Sequence, residues 1–164
     1  MIKVAINGYG TIGKRVADAV AAQKDMKVIG VSKTRPNAEA FVAKQRGFPL
    51  YIADIAKKDA FEKAGLLVAG SVEDMCRAAD VVVDATPGKV GATNKALYEK
   101  IGVKALWQGG EEHALAGFSF NSSCNYKDAI GRQFVRVVSC NTTGLCRIIN
   151  EIDKEYGVHH VHAI

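Results

Sequence analysis

The chain has 164 residues, 48% hydrophobic and 24% charged, with a mean hydropathy of +0.01, which excludes disorder and suits one domain with a buried core. No apolar run approaches the roughly 20 residues of a membrane helix, so a spanning segment is excluded as well. A net charge of +5 admits an anionic partner such as a phosphate-bearing ligand, but Lys and Arg are spread along the whole length without interleaved aromatics, which argues against a nucleic-acid surface.

Met1 leads straight into the strand-like run Ile2-Lys3-Val4-Ala5-Ile6, with no secretory signal pattern, and a cytoplasmic chain is expected. A first strand is predicted over residues 2–7. Gly8-Tyr9-Gly10-Thr11-Ile12-Gly13 follows at once and opens a helix predicted over 11–23. In that context Gly8 allows a tight turn, Gly10 lets a pyrophosphate approach the backbone, and Gly13 lets helix and strand pack closely. Thr11 and Ile12 then stand at the helix start, where free N–H groups and the positive end of the dipole face phosphate. A glycine turn of packing value only is the alternative.

The second strand, 27–32, ends in Ser32-Lys33-Thr34-Arg35, where a carboxylate holding the ribose hydroxyls of NAD is expected and absent. Lys33 and Arg35 are therefore expected to accept a 2′-phosphate, so NADP joins NAD as a cofactor, unless both are solvated loop charges. Helices are predicted over 36–46, 55–64 and 71–79. The strand at 80–85 runs into Ala85-Thr86-Pro87-Gly88, a helix covers 89–101, and the strand at 103–107 runs into Gln108-Gly109-Gly110. Small residues in those loops let a cofactor lie against the backbone, with Thr86, Pro87, Gly109 and Gly110 as candidates, or else they are simple turns. Continuous apolar runs such as Val81-Val82-Val83 suit strands buried on both faces of a mostly parallel, doubly wound α/β sheet.

The last strand, 133–138, delivers Ser139-Cys140-Asn141-Thr142-Thr143-Gly144 to the start of a helix at 141–156. A helix N-terminus favours thiolate and supplies donors for an oxyanion, which makes Cys140 the candidate nucleophile. Ser139, Asn141 and Thr142 supply caps and donors for phosphate or carbonyl oxygen. A structural cysteine beside an N-cap cluster is the competing reading. Cys76, Cys124 and Cys146 are read as structural, and no cysteine or histidine spacing suggests a metal. Residues 158–164 look like a strand that has no terminating turn, and such a tail is either disordered, paired with another chain or the start of a further domain.

These motifs resemble the archaeal type of phosphorylating glyceraldehyde-3-phosphate dehydrogenase, notably at Ala5–Val16, Gln108–Glu111 and Ser139–Leu145. The resemblance implies a Rossmann NAD(P)-binding domain at 1–138, then the catalytic-cysteine helix and truncated first strand of a catalytic domain at 139–164. It also implies use of NADP and NAD, a homotetramer, and a place in glycolysis and gluconeogenesis. Cys140 would form a thiohemiacetal with glyceraldehyde 3-phosphate, and inorganic phosphate would release the thioester as an acyl phosphate. Family members are much longer, and their catalytic histidine lies in the second domain. His159, His160 and His162 are expected out of reach beyond the last helix, and His113 is expected in solvent. Two alternatives stand beside this one: a related semialdehyde dehydrogenase or acyl-phosphate reductase, and a nucleotide-binding module without turnover.

Overall fold

The computed structural model describes residues 1–108 and 110–163. The candidate Gly109 therefore lies outside the described residues, as does Ile164.

Eight strands form one sheet in the order β4-β3-β2-β1-β5-β6-β8-β7: β1 (Ile2–Asn7), β2 (Met26–Lys33), β3 (Leu50–Ile52), β4 (Gly70–Ser71), β5 (Val81–Asp84), β6 (Lys104–Trp107), β7 (Ser119–Phe120) and β8 (Phe134–Val137). Every neighbouring pair is parallel, so the sheet is wholly rather than mostly parallel. The chain winds outward from β1 through β2 to β4, then returns to the other side of β1 with β5. Between β1 and β5 the helices diverge to opposite faces and leave a crevice at the strands' carboxyl ends.

The apolar runs explain the layers. Val4 and Ile6 of β1 join one buried cluster with Ala17, Val20, Val31 and Phe61, while Ala5 joins another with Met75, Val82, Tyr98 and Trp107. Alternate residues of one strand thus serve both faces, as a sheet covered by helices requires. Helix α1 (Thr11–Ala21) buries Gly13, Ala17 and Val20, one stripe at i, i+4 and i+7. On the other face, α4 (Val72–Arg77) and α5 (Val90–Ile101) bury Met75, Cys76 and Tyr98. Helices α2 (Ala38–Gln45), α3 (Lys58–Lys63) and α6 (His113–Ala116) are short.

Helix α7 (Cys140–Tyr156) buries none of its residues, and Leu145, Ile148 and Ile152 stand 46 to 62% exposed along one side. The expected strand after it does not form: residues 158–163 carry no regular structure and pair with nothing described. Alternating apolar residues make a strand only when a neighbour offers ladder partners, and no strand of the sheet pairs with residues 158–163.

Candidate functional site

A cleft of about 1180 Å³ opens over the carboxyl ends of β1, β2 and β5. Of the candidates named from the sequence, Gly8, Gly10, Thr11, Ile12, Lys33, Arg35, Thr86 and Pro87 line it, and Gln108 joins them. Gly13 and Gly110 do not line it.

The three loop glycines have three distinct reasons to lack a side chain. Gly8 has a φ of +98°, and a Cβ there would meet the Ala85 and Thr86 backbone at 2.8 Å, so the β1 and β5 loops touch. A Cβ at Gly13 would overlap the Gly8 carbonyl oxygen, which fixes the distance of α1 from β1. At Gly10 a Cβ would meet nothing within 4 Å, so packing gives no reason for that glycine and the space before it faces the cleft. Helix α1 begins there with no side-chain cap and no acid in its first turn. Its first N–H groups are left for a ligand, and the pyrophosphate of a dinucleotide fits that cradle.

Beneath the loop runs a buried polar relay that sequence reasoning missed. Gly8 N–H donates to Ser32 Oγ (2.8 Å), Ser32 donates to Asn7 Oδ1 (2.7 Å), and Asn7 Nδ2 donates to the Tyr98 hydroxyl (2.8 Å). Tyr98 in turn donates to Asp84 Oδ2 (2.7 Å), which also accepts from Asn94 Nδ2 (2.8 Å). The other Asp84 oxygen takes the Thr86 backbone N–H (3.0 Å) and hydroxyl. Four donations are what a carboxylate accepts, and Asp84, 1% exposed, uses them in place of a counter-ion. Burial, helped by Asp84, raises the Tyr98 hydroxyl far above its ordinary range, so it stays a donor. Asp84 thus holds Thr86 and Asn94 in the cleft wall and steadies Gly8 from below.

Ser32 is therefore an internal strut, and the end of the ribose edge is Lys33. The Lys33 ammonium binds the Glu39 carboxylate and donates to the Tyr9 carbonyl (3.3 Å), and Glu39 also meets Lys14 at 3.6 Å. Glu39 lines the cleft, so an acid does stand at this edge, brought by α2 rather than by β2. The hydrogen bond from Lys33 holds its carboxyl below the usual range, against the opposing effect of burial. Arg35 is exposed at the rim and has no acidic partner among the described residues.

Cys140 is the first residue of α7, exposed, with its sulfur 3.7 Å from Asn141 Oδ1. Ser139 caps the helix, its Oγ accepting from Thr142 N–H (3.3 Å) and lying 2.9 Å from Thr142 Oγ1. Ser139, Asn141 and Thr142 thus gather at one helix start, at the carboxyl end of β8 and two strands beyond β5, and none of them lines the cleft. His113 is exposed and lies 2.9 Å from Ser119 Oγ. His159, His160 and His162 are exposed beyond Gly157, after 17 helical residues that carry the chain about 25 Å from Cys140. Burial pushes the Cys76 thiol up to about 12. Among the described residues no three or more His, Cys, Asp or Glu gather as metal ligands, and no helix is long and apolar enough to cross a membrane.

Sheet order, glycine cradle and uncapped helix together define a dinucleotide-binding protein of the Rossmann class. The family described as dihydrodipicolinate reductase, N-terminus, matches residues 2–106, and the chain belongs to that family. The resemblance seen in the sequence is borne out by curated relatives. A glyceraldehyde-3-phosphate dehydrogenase of Methanoregula boonei is 86% identical over 100% of this chain and 48% of its own length. One from Methanococcoides burtonii is 66% identical over 96% of this chain and 47% of its own. The chain thus spans about half the length of the curated relatives it matches. Among solved structures, aspartate semialdehyde dehydrogenase II of Vibrio cholerae superposes with a TM-score of 0.64 at 14% identity, over 96% of this chain and 49% of that one. The Candida albicans aspartate semialdehyde dehydrogenase, solved with NADP, gives 0.63 at 13% identity over 96% and 48%. At those identities the likeness is one of fold.

Proposed function

We propose that this chain is the cofactor-binding half of an NAD(P)-dependent, phosphorylating glyceraldehyde-3-phosphate dehydrogenase, with residues 1–138 as the cofactor domain and 139–164 as the start of the catalytic one. The observation that carries the reading is the open space at Gly10 in front of the uncapped α1, in a chain 86% identical to a protein of that name. The Thr11 and Ile12 N–H groups would hold the pyrophosphate, Thr86 and Pro87 would flank the nicotinamide side, and Lys33 and Arg35 would take a 2′-phosphate. A nicotinamide bound there supplies a hydride acceptor.

Cys140 would attack the aldehyde carbon of glyceraldehyde 3-phosphate, forming the C–S bond of a thiohemiacetal whose oxygen is met by donors at the α7 start. Loss of the hydride and the hydroxyl proton leaves a thioester. Inorganic phosphate then displaces the Cys140 sulfur and leaves as part of an acyl phosphate. The base for that proton is expected in the other half, since the chain's histidines lie elsewhere. The reading extends to a cytoplasmic homotetramer working in glycolysis and gluconeogenesis. By itself the chain would bind cofactor without turnover. Calorimetric titration with NADPH and NADH tests this: saturable one-to-one binding supports it, and no binding of either refutes it.

A further inference from the structure

We propose that Glu39 is a cofactor-specificity residue, which holds Lys33 in an ion pair at the ribose edge, accepts the free 2′-hydroxyl of NAD, and releases Lys33 to the 2′-phosphate of NADP. The inference rests on the dinucleotide reading above and adds how one edge serves both ligands.

Four charged side chains meet at this edge. Glu39 binds Lys33, lies 3.6 Å from Lys14 and accepts from Asn37 Nδ2 at 3.4 Å. Arg35 lines the same cleft from the exposed rim. Two cations therefore pair with one carboxylate, and Arg35 stands as a third at the rim of the cleft. With NAD bound, the carboxylate is the acceptor that the ribose hydroxyls need, and it arrives from the first turn of α2, where the helix dipole favours an acid. With NADP bound, a 2′-phosphate of charge about −1.5 to −2 joins Glu39 opposite those cations and brings the set close to neutrality. Lys33 suits the exchange because its ammonium sits on a flexible four-carbon stem and donates in several directions, to the Tyr9 carbonyl as well as Glu39. Its side chain is 11% exposed, and it lines the cleft together with Glu39 and Arg35.

The carboxylate then opposes NADP and favours NAD. Glu39→Gln removes the repulsion and frees Lys33, so NADPH binding should tighten about tenfold, while NADH, whose hydroxyl loses a charged acceptor, weakens severalfold. Lys33→Gln should weaken NADPH about tenfold and leave NADH within about threefold. Both variants are titrated against NADPH and NADH in the full chain at two salt concentrations, with circular dichroism as the check on folding. A shift of the NADPH-to-NADH affinity ratio toward NADPH in Glu39→Gln and away from it in Lys33→Gln supports the proposal. A ratio within twofold of the parent in Glu39→Gln overturns it, even where the parent binds both cofactors well. A parent chain that binds neither refutes the dinucleotide reading itself and the role of Glu39 with it.

Discussion

Tyr98→Phe deletes one oxygen atom and breaks the relay at its middle. The ring stays packed against Trp107 at a centroid distance of 5.9 Å, so little apolar contact is lost. What goes is the 2.7 Å donation to the buried Asp84 carboxylate and the 2.8 Å acceptance from Asn7 Nδ2. A hydrogen bond to a charged group contributes about 1.5–3 kcal/mol, and a buried donor left unsatisfied costs about 1–3 kcal/mol. Because Asp84 keeps its Asn94 and Thr86 donors, the low end of the first range applies, and the total is about 2.5–4.5 kcal/mol. For a chain of this size that lowers Tm by about 5–18 °C. Urea unfolding followed by circular dichroism measures the loss directly, with the slope m unchanged. The Gly8 N–H rests on Ser32 and through it on Asn7, so NADPH affinity should fall several-fold at temperatures where the variant is fully folded. A stability loss under about 1 kcal/mol would refute the view that Asp84 depends on this hydroxyl.

Gly10→Val should leave the melting temperature within a few degrees and abolish dinucleotide binding, because the added side chain enters open space that only a pyrophosphate needs; retained affinity in calorimetry would contradict this. Gly13→Ala should do the reverse, costing about 1–3 kcal/mol or more, since its methyl overlaps the Gly8 carbonyl, and thermal denaturation separates the two glycines. Under limiting iodoacetamide, peptide mass spectrometry should find Cys140 labelled first and Cys76 last, for the latter is buried with its thiol pushed up to about 12. Asp74 closes a capping box with Ser71, whose hydroxyl and N–H hold its carboxyl below the ordinary 3.8. That contribution is present above about 3.8 and is lost as pH falls through the lowered folded value; Ser71→Ala should move the Asp74 titration upward by NMR.

Long apolar runs made β1, β2, β5, β6 and β8 legible, because burial on both faces leaves a continuous signal. The short strands β3, β4 and β7 have two or three residues each, too few for any period to show. Residues 158–163 failed in the opposite way, carrying the pattern without a partner strand. In the site, the glycine loop and the Cys140 helix start are contiguous motifs and could be read. The Asn7–Tyr98 bond joins positions 91 apart, and nothing local in either residue announces it. Ser32 was read for the acid it lacks at the ribose edge, although its hydroxyl faces inward to Gly8 and Asn7. Glu39 is not legible as the ribose-edge acid in the sequence, because that position belongs to the end of β2, whereas α2 supplies the acid from six residues beyond Lys33.

The central position of β1 has a consequence for synthesis. One side of β1 pairs with β2, whose residues follow within a short span, but the other side waits for β5, where Val4 pairs with Val81. At translation rates of about 5–20 residues per second, those intervening residues take roughly 4 to 15 s to emerge. Throughout that interval a flat, apolar strand edge made of Val4, Ala5 and Ile6 stands open on the nascent chain. Any strand that reaches it first can add to the sheet, so fidelity of folding depends on the growing chain being shielded until Val81–Asp84 arrives to close the gap.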